Sequence, residues 1–145
     1  MMKFAIIKER KNPPDRRVVF SPNLCKLAID KFDDLSVTVE ASDIRFFKDD
    51  EYASLGFTPV YNISDCDVML GVKEVPVNAL IPNKKYFFFS HTIKKASYNR
   101  ALLQAVLSKN IELYDHETIT KSSGARLIGF GRYAGIVGAY NGFIA

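Results

Sequence analysis

A chain of 145 residues, 48% hydrophobic and 25% charged, has the length and balance of one globular domain whose core needs neither disulfides nor metal. Its net charge of +4 comes from 20 basic and 16 acidic residues interleaved along the whole chain, which argues against nucleic acid as a partner and leaves the steering of anionic small molecules. The longest apolar runs, such as Tyr86 to Phe89, fall far short of the ~20 residues of a membrane helix, so no membrane partner is expected and a cytoplasmic location is.

Met2 to Lys8 is a short Ile-containing apolar run that reads as a strand, and it enters a polar stretch, Glu9 to Arg17, broken by Asn12-Pro13-Pro14. Ser21-Pro22 opens a helix, serine as N-cap and proline at a position whose N–H has no partner, with Leu24, Leu27, Ala28 and Phe32 as its apolar face. Leu35 to Ala41 alternates as a second strand. Asp49 to Leu55 is a short helix with acids in its first turn and Gly56 as its stop. Thr58 to Tyr61 is a minor strand, Val68 to Val72 a better one, and Lys85 to Ser90 reads as a strand covered on both faces.

Tyr98 to Ser108 repeats Leu102, Leu103, Val106 and Leu107 at helical spacing, and Ile111 to Tyr114 is a further strand. Lys121-Ser122-Ser123-Gly124 is a turn into Arg126 to Ile128. Gly131 to Ala145 is rich in glycine and alanine; as a helix it carries a flat stripe that lets another backbone approach. The chain ends inside that apolar segment without a cap or stop signal, so a truncated piece is expected rather than a natural C-terminus. The alternation of strands and helices predicts an α/β fold, a Rossmann-like three-layer sandwich with a mainly parallel sheet.

In such sheets ligands gather beyond the carboxyl ends of the strands. Two apolar strands end in polar residues there: Val68 to Val72 in Lys73-Glu74, and Phe87 to Phe89 in Ser90-His91. Taken singly, each reads as readily as a solvated lysine or a satisfied loop histidine; their repetition makes both candidates. His116 and Glu117 follow a third strand. Lys11, Arg16 and Arg17 form a cationic loop after the first strand, and an arginine fork matches a carboxylate with two parallel hydrogen bonds. Gly129 to Gly135 follows the spacing GxGxxxG, but no second strand or ribose-binding acid comes after it, so it reads as a packing motif. The two histidines and two cysteines lack metal-ligand spacing, and Cys25 and Cys66 are expected to be reduced, buried thiols.

Five segments in order carry a resemblance: Arg16-Arg17-Val18 with Ser21-Pro22, Leu70 to Pro76, Phe87 to Lys94, Leu113-Tyr114-Asp115, and Gly129 to Gly135. Together they resemble the N-terminal domain shared by alanine dehydrogenase, the proton-translocating transhydrogenase and saccharopine dehydrogenase. The Phe-Phe-Ser-His-Thr-Ile-Lys stretch is similar to lysine-ketoglutarate reductase. The resemblance implies the N-terminal substrate domain of a two-domain dehydrogenase, residues 1–130, with 131–145 starting the helix toward a nucleotide-binding domain that carries NAD or NADP. It implies acid/base roles for Lys73 and His91, a substrate carboxylate held by Arg17 and Lys11, and tuning of the pair by Glu74 and Glu117. The implied reaction interconverts lysine plus 2-oxoglutarate with saccharopine through an imine, and a homo-oligomer is compatible with it. An alanine dehydrogenase domain and a non-catalytic binding module are the competing expectations.

Overall fold

A computed structural model describes all of residues 1–145. Five strands, β1 (Met2–Ile6), β2 (Leu35–Val39), β3 (Val68–Lys73), β4 (Lys85–Phe89) and β5 (Glu112–Asp115), form one sheet in the order β2-β1-β3-β4-β5. Every pairing is parallel, so the sheet expected to be mainly parallel is wholly so. The helices are α1 (Pro22–Lys31), α2 (Asp49–Ala53), α3 (Arg100–Ser108) and α4 (Gly131–Ile144). The chain leaves β1 toward β2 and then returns to place β3 on the other side. At that reversal neighbouring connections diverge and open a crevice beyond the carboxyl ends of β1 and β3.

Successive strand residues face opposite sides of the sheet, which sorts the core into two clusters. On one face Ala5, Met69, Tyr86 and Phe88 meet Leu102, Ala105 and Val106 of α3 in a cluster of 13 buried residues. On the other, Ile6, Val39, Val68 and Leu70 meet Cys25 of α1 and Tyr52 of α2 in a cluster of only 7. Burial pushes the Cys25 thiol up to about 11, and both cysteines are free and buried, as their spacing suggested. No helix is long and apolar enough to cross a membrane.

The Ser21 side chain accepts from the Leu24 N–H at 3.4 Å, and Gly56 ends the second helical segment at φ +90°, a left-handed conformation that glycine adopts without Cβ strain. Three expectations need correction. The buried side of α1 is Pro22 and Cys25, while Leu24, Leu27 and Phe32 are exposed, because α1 meets the sheet on a neighbouring stripe. α3 buries Leu102, Ala105 and Val106 and leaves Leu103 and Leu107 outside, because only one face of this short helix reaches the sheet. Thr58 to Tyr61 supplies a single parallel bridge, Glu40 to Val60, and no strand. On α4 an added Cβ at any of its four glycines would meet nothing within 4 Å, so the small-residue stripe packs against no backbone of this chain.

Candidate active site

The parallel register places three strand ends side by side. Lys73 of β3 stands opposite Phe89 of β4, and Phe88 opposite Asp115 of β5. Beyond these ends lie Lys73, then Ser90 and His91, then His116 and Glu117. The loop after β1 closes the other side, and Asp15 in that loop feels both Arg17 and Lys73.

His91 is the best-defined group. Its Nδ1 lies 2.7 Å from Oε2 of Glu117, whose side chain is buried while the imidazole is one-third exposed. The His91 hydrogen bond, with Lys94 and Arg126 beside it, holds the Glu117 carboxyl below its usual 4.5. Glu117 stays ionised, and as an acceptor-only carboxylate it takes its bond from a proton-bearing Nδ1, so that a neutral His91 carries its lone pair on Nε2. Arg126 donates to the other oxygen at 2.7 Å, and Lys94 lies 3.4 Å from it.

The pair is held from beneath. Ser90 donates to Oδ2 of buried Asp115 at 2.6 Å, and Oδ1 of Asp115 accepts the Glu117 N–H at 2.9 Å. One carboxylate thus ties the residue before His91 to the backbone of its partner. His91 itself has φ 55°, a left-handed conformation uncommon outside glycine, and Asn99 donates to its carbonyl at 3.1 Å. Strain of this kind persists where the surroundings over-determine it.

The cations of the β1 loop are each engaged differently. Arg17 turns Nε and one Nη toward Asp15, at 2.9 and 2.5 Å, leaving its second Nη without a protein hydrogen bond; its guanidinium lies 4.7 Å from the Phe130 ring centre. The Arg17 contact, outweighing burial, holds the Asp15 carboxyl below 3.8. Lys11 pairs with Glu74, so Glu74 meets the loop lysine and makes no ion pair with Lys73. Arg10 is bound by buried Glu40 at 2.5 Å, and Arg16 is exposed without an ion pair.

Six residues that sequence reasoning gave no role enter the site: Asp15, Ser90, Lys94, Asp115, Arg126, and Glu9, which accepts the N–H groups of Val72 and Lys73. Glu9 carried one usable signal, a lone acid directly after an apolar strand. Asp15, Lys94 and Arg126 lie in polar segments where composition singles out none of them, while Ser90 follows β4 and Asp115 is the last residue of β5.

A model of the alanine dehydrogenase/PNT N-terminal domain matches residues 5–137. The chain belongs to that family. Within it, the chain is 35% identical to the mitochondrial alpha-aminoadipic semialdehyde synthase of Bos taurus, over 94% of this chain and 15% of that protein. It is 30% identical to the NAD(+), L-lysine-forming saccharopine dehydrogenase of Schizosaccharomyces pombe, over 92% of this chain and 37% of the relative. The chain therefore spans well under half the length of either. A solved L-alanine dehydrogenase matches with TM-score 0.70 at 20% identity, over 86% of this chain and 35% of that one, which shows the shared fold. Gly129 to Gly135 runs into α4 from an isolated bridge between Thr120 and Arg126, not from a strand of the sheet.

Proposed function

We propose that this chain forms the substrate side of a nicotinamide-dependent oxidoreductase of lysine metabolism, interconverting lysine plus 2-oxoglutarate with saccharopine. The observation that carries it is His91 bound to ionised Glu117 beside Lys73, at the carboxyl ends of adjacent parallel strands. Lys73 and His91 act as proton-transfer groups, with Glu117 tuning His91. Arg17 and Lys11 hold substrate carboxylates once Asp15 and Glu74 yield them. In this reading residues 1–130 are the substrate domain, and 131–145 begin the connection to a nucleotide-binding domain.

The substrate amine attacks the keto carbon of 2-oxoglutarate to give a carbinolamine, and loss of water gives an imine. The amine must lose a proton and the departing hydroxyl must gain one. Nε2 of His91, with Nδ1 committed to Glu117, is suited to take and return that proton. A nicotinamide nucleotide, NAD or NADP, supplies or removes the hydride. The cations around the crevice, Lys11, Arg17, Lys94 and Arg126, suit a product with several carboxylates better than the single carboxylate of alanine.

Titration of the 15N-labelled chain with saccharopine or 2-oxoglutarate should move the amides of Arg17, Lys73 and His91, and L-alanine should not. With a nucleotide-binding domain supplied, Lys73→Met and His91→Gln should each lower kcat by roughly 10²–10⁴-fold, whereas Arg17→Ala should mainly raise KM for the dicarboxylate. The chain alone should consume no NADPH with lysine and 2-oxoglutarate. Near-normal kcat and an unchanged pH profile in both single variants would leave a binding site without chemistry.

A further inference from the structure

β1 and β3 pair regularly from Phe4 opposite Val68 to Ile6 opposite Leu70, and Ile7 N–H closes the ladder on the Leu70 carbonyl at 3.0 Å. Beyond Leu70 the register between β3 and β4 shifts, so the last residues of β3 leave the regular ladder just before Lys73. Buried backbone groups there still need partners. Two buried side chains provide them. Glu9 accepts the Val72 N–H at 2.7 Å through one oxygen and the Lys73 N–H at 2.8 Å through the other. From the β5 side, Nε2 of His116 donates to the Gly71 carbonyl at 3.0 Å.

Gly71 leaves room beside this contact for Ile7: an added Cβ would stand 2.9 Å from Cδ1 of Ile7, whose side chain would have to shift, and 3.5 Å from Oε1 of Glu9, an ordinary van der Waals contact. Glu9 is 6% exposed and uses both oxygens on successive peptide N–H groups. A two-point, charge-assisted grip fixes both the position and the rotation of the peptide it holds. Asp15 and Arg17 also act on the Glu9 carboxylate through their charges, which puts it in the same charge group as the loop of the crevice.

We propose that Glu9 is a positioning residue for Lys73: its buried carboxylate, with His116 on the preceding carbonyl, sets where the lysine stands at the end of β3. The proposal rests on the reading of Lys73 as a proton-transfer group. Lysine carries its amine on a flexible four-carbon stem, so the position of its backbone decides which part of the crevice the amine can reach. Misplacement of a reacting group by 1 Å costs on the order of 10²-fold in rate. Glu9 touches no substrate in this scheme and acts through Lys73.

The test compares the 15N-labelled chain with its Glu9→Gln variant, with 2-oxoglutarate as the probe. Glutamine keeps the shape but turns an NH2 against one of the two N–H groups. In the variant the Val72 and Lys73 amide protons should lose the shift that a charged acceptor imposes. The order parameter of the Lys73 amide should fall from about 0.85 to below about 0.6. The response of Lys73 to 2-oxoglutarate should be lost while that of His91 persists. A carboxylate of structural importance only would lower the denaturation midpoint and leave Lys73 order and response unchanged, and that result overturns the proposal.

Should Glu9→Gln fail to fold, the unaltered chain replaces it. The Val72 and Lys73 amides should titrate together, with one midpoint above the ordinary 4.5, because burial raises the Glu9 carboxyl. Separate midpoints, or none, overturn the proposal. Absence of any 2-oxoglutarate response at both Lys73 and His91 in the unaltered chain defeats the proposed function instead, and the Lys73 order parameter still decides on Glu9.

Discussion

The two faces of the sheet are built from the same strands and differ in how they are closed. The α3 face gathers 13 buried residues, with Tyr86 and Phe88 fully interior and edge-to-face at 6.0 Å. The α1 and α2 face gathers 7, and past them Phe4, Phe20, Val37 and Phe87 line an open apolar groove of about 430 Å³. Phe87 stacks on Tyr114 at 4.4 Å, yet Tyr114 is 40% exposed. A parallel sheet is expected to be covered on both faces. Here one face is closed over its core, and the other keeps aromatic side chains at its surface.

That contrast breaks or holds most visibly on adjacent phenylalanines of one strand. Phe88→Ala should cost about 3–5 kcal/mol in urea unfolding, a large share of the ~5–15 kcal/mol that holds a domain, because it opens a cavity in a closed core. Phe87→Ala should cost under about 1.5 kcal/mol, mostly the stacking with Tyr114. Equal costs would mean that the two faces are equally closed.

Two buried tyrosines sharpen it next. Tyr86 accepts the Ile81 N–H at 2.9 Å, whereas Tyr52 donates to the Phe20 carbonyl at 2.7 Å. Tyr86→Phe strands a backbone donor and should cost about 1–3 kcal/mol, while Tyr52→Phe should cost about 0.5–1.5 kcal/mol, since a carbonyl beside the open groove recovers water. The order of the two midpoints decides the point.

His116 tests the open face by pH. Burial, outweighing the bond to the Gly71 carbonyl, lowers its imidazole from the usual 6.5, and its Nδ1 is buried without a partner. The unfolded chain then binds a proton that the folded chain refuses. Its contribution to stability is therefore complete above 6.5 and is lost as pH falls from 6.5 toward the lower folded value. His116→Gln should remove that part of the decline, seen as a smaller loss of urea midpoint between pH 7.5 and 5.5 than in the unaltered chain. Identical declines would refute it. The smallest effect is Ser21→Ala at the start of α1, about 0.5–1 kcal/mol, because the cap bond is long and the helix sits on the thinner face.

Legibility followed the range of the interaction. The strand ends carrying Lys73 and His91, the Ser21-Pro22 helix start and the Gly56 stop depend on local chemistry and could be read from neighbouring residues. The helix faces were misread: apolar spacing marks several stripes on α1 and α3, and only docking selects Cys25 over Leu27, or Ala105 over Leu103. Glu117 was legible as a polar residue after a strand. Its two cationic neighbours were not, since Lys94 and Arg126 reach it from different loops.

From sequence alone came the α/β class, the parallel sheet, and the residues that end its strands, because periodicity and strand-end polarity are properties of a few consecutive positions. The tertiary structure decided which of those residues meet. The reversal between β1 and β3 brings Glu9 to the N–H groups of Val72 and Lys73 across more than 60 residues of chain, and the parallel register of β4 and β5 brings His91 to Glu117. Such contacts depend on how far the strands slide and which side they cross, and no local pattern encodes either.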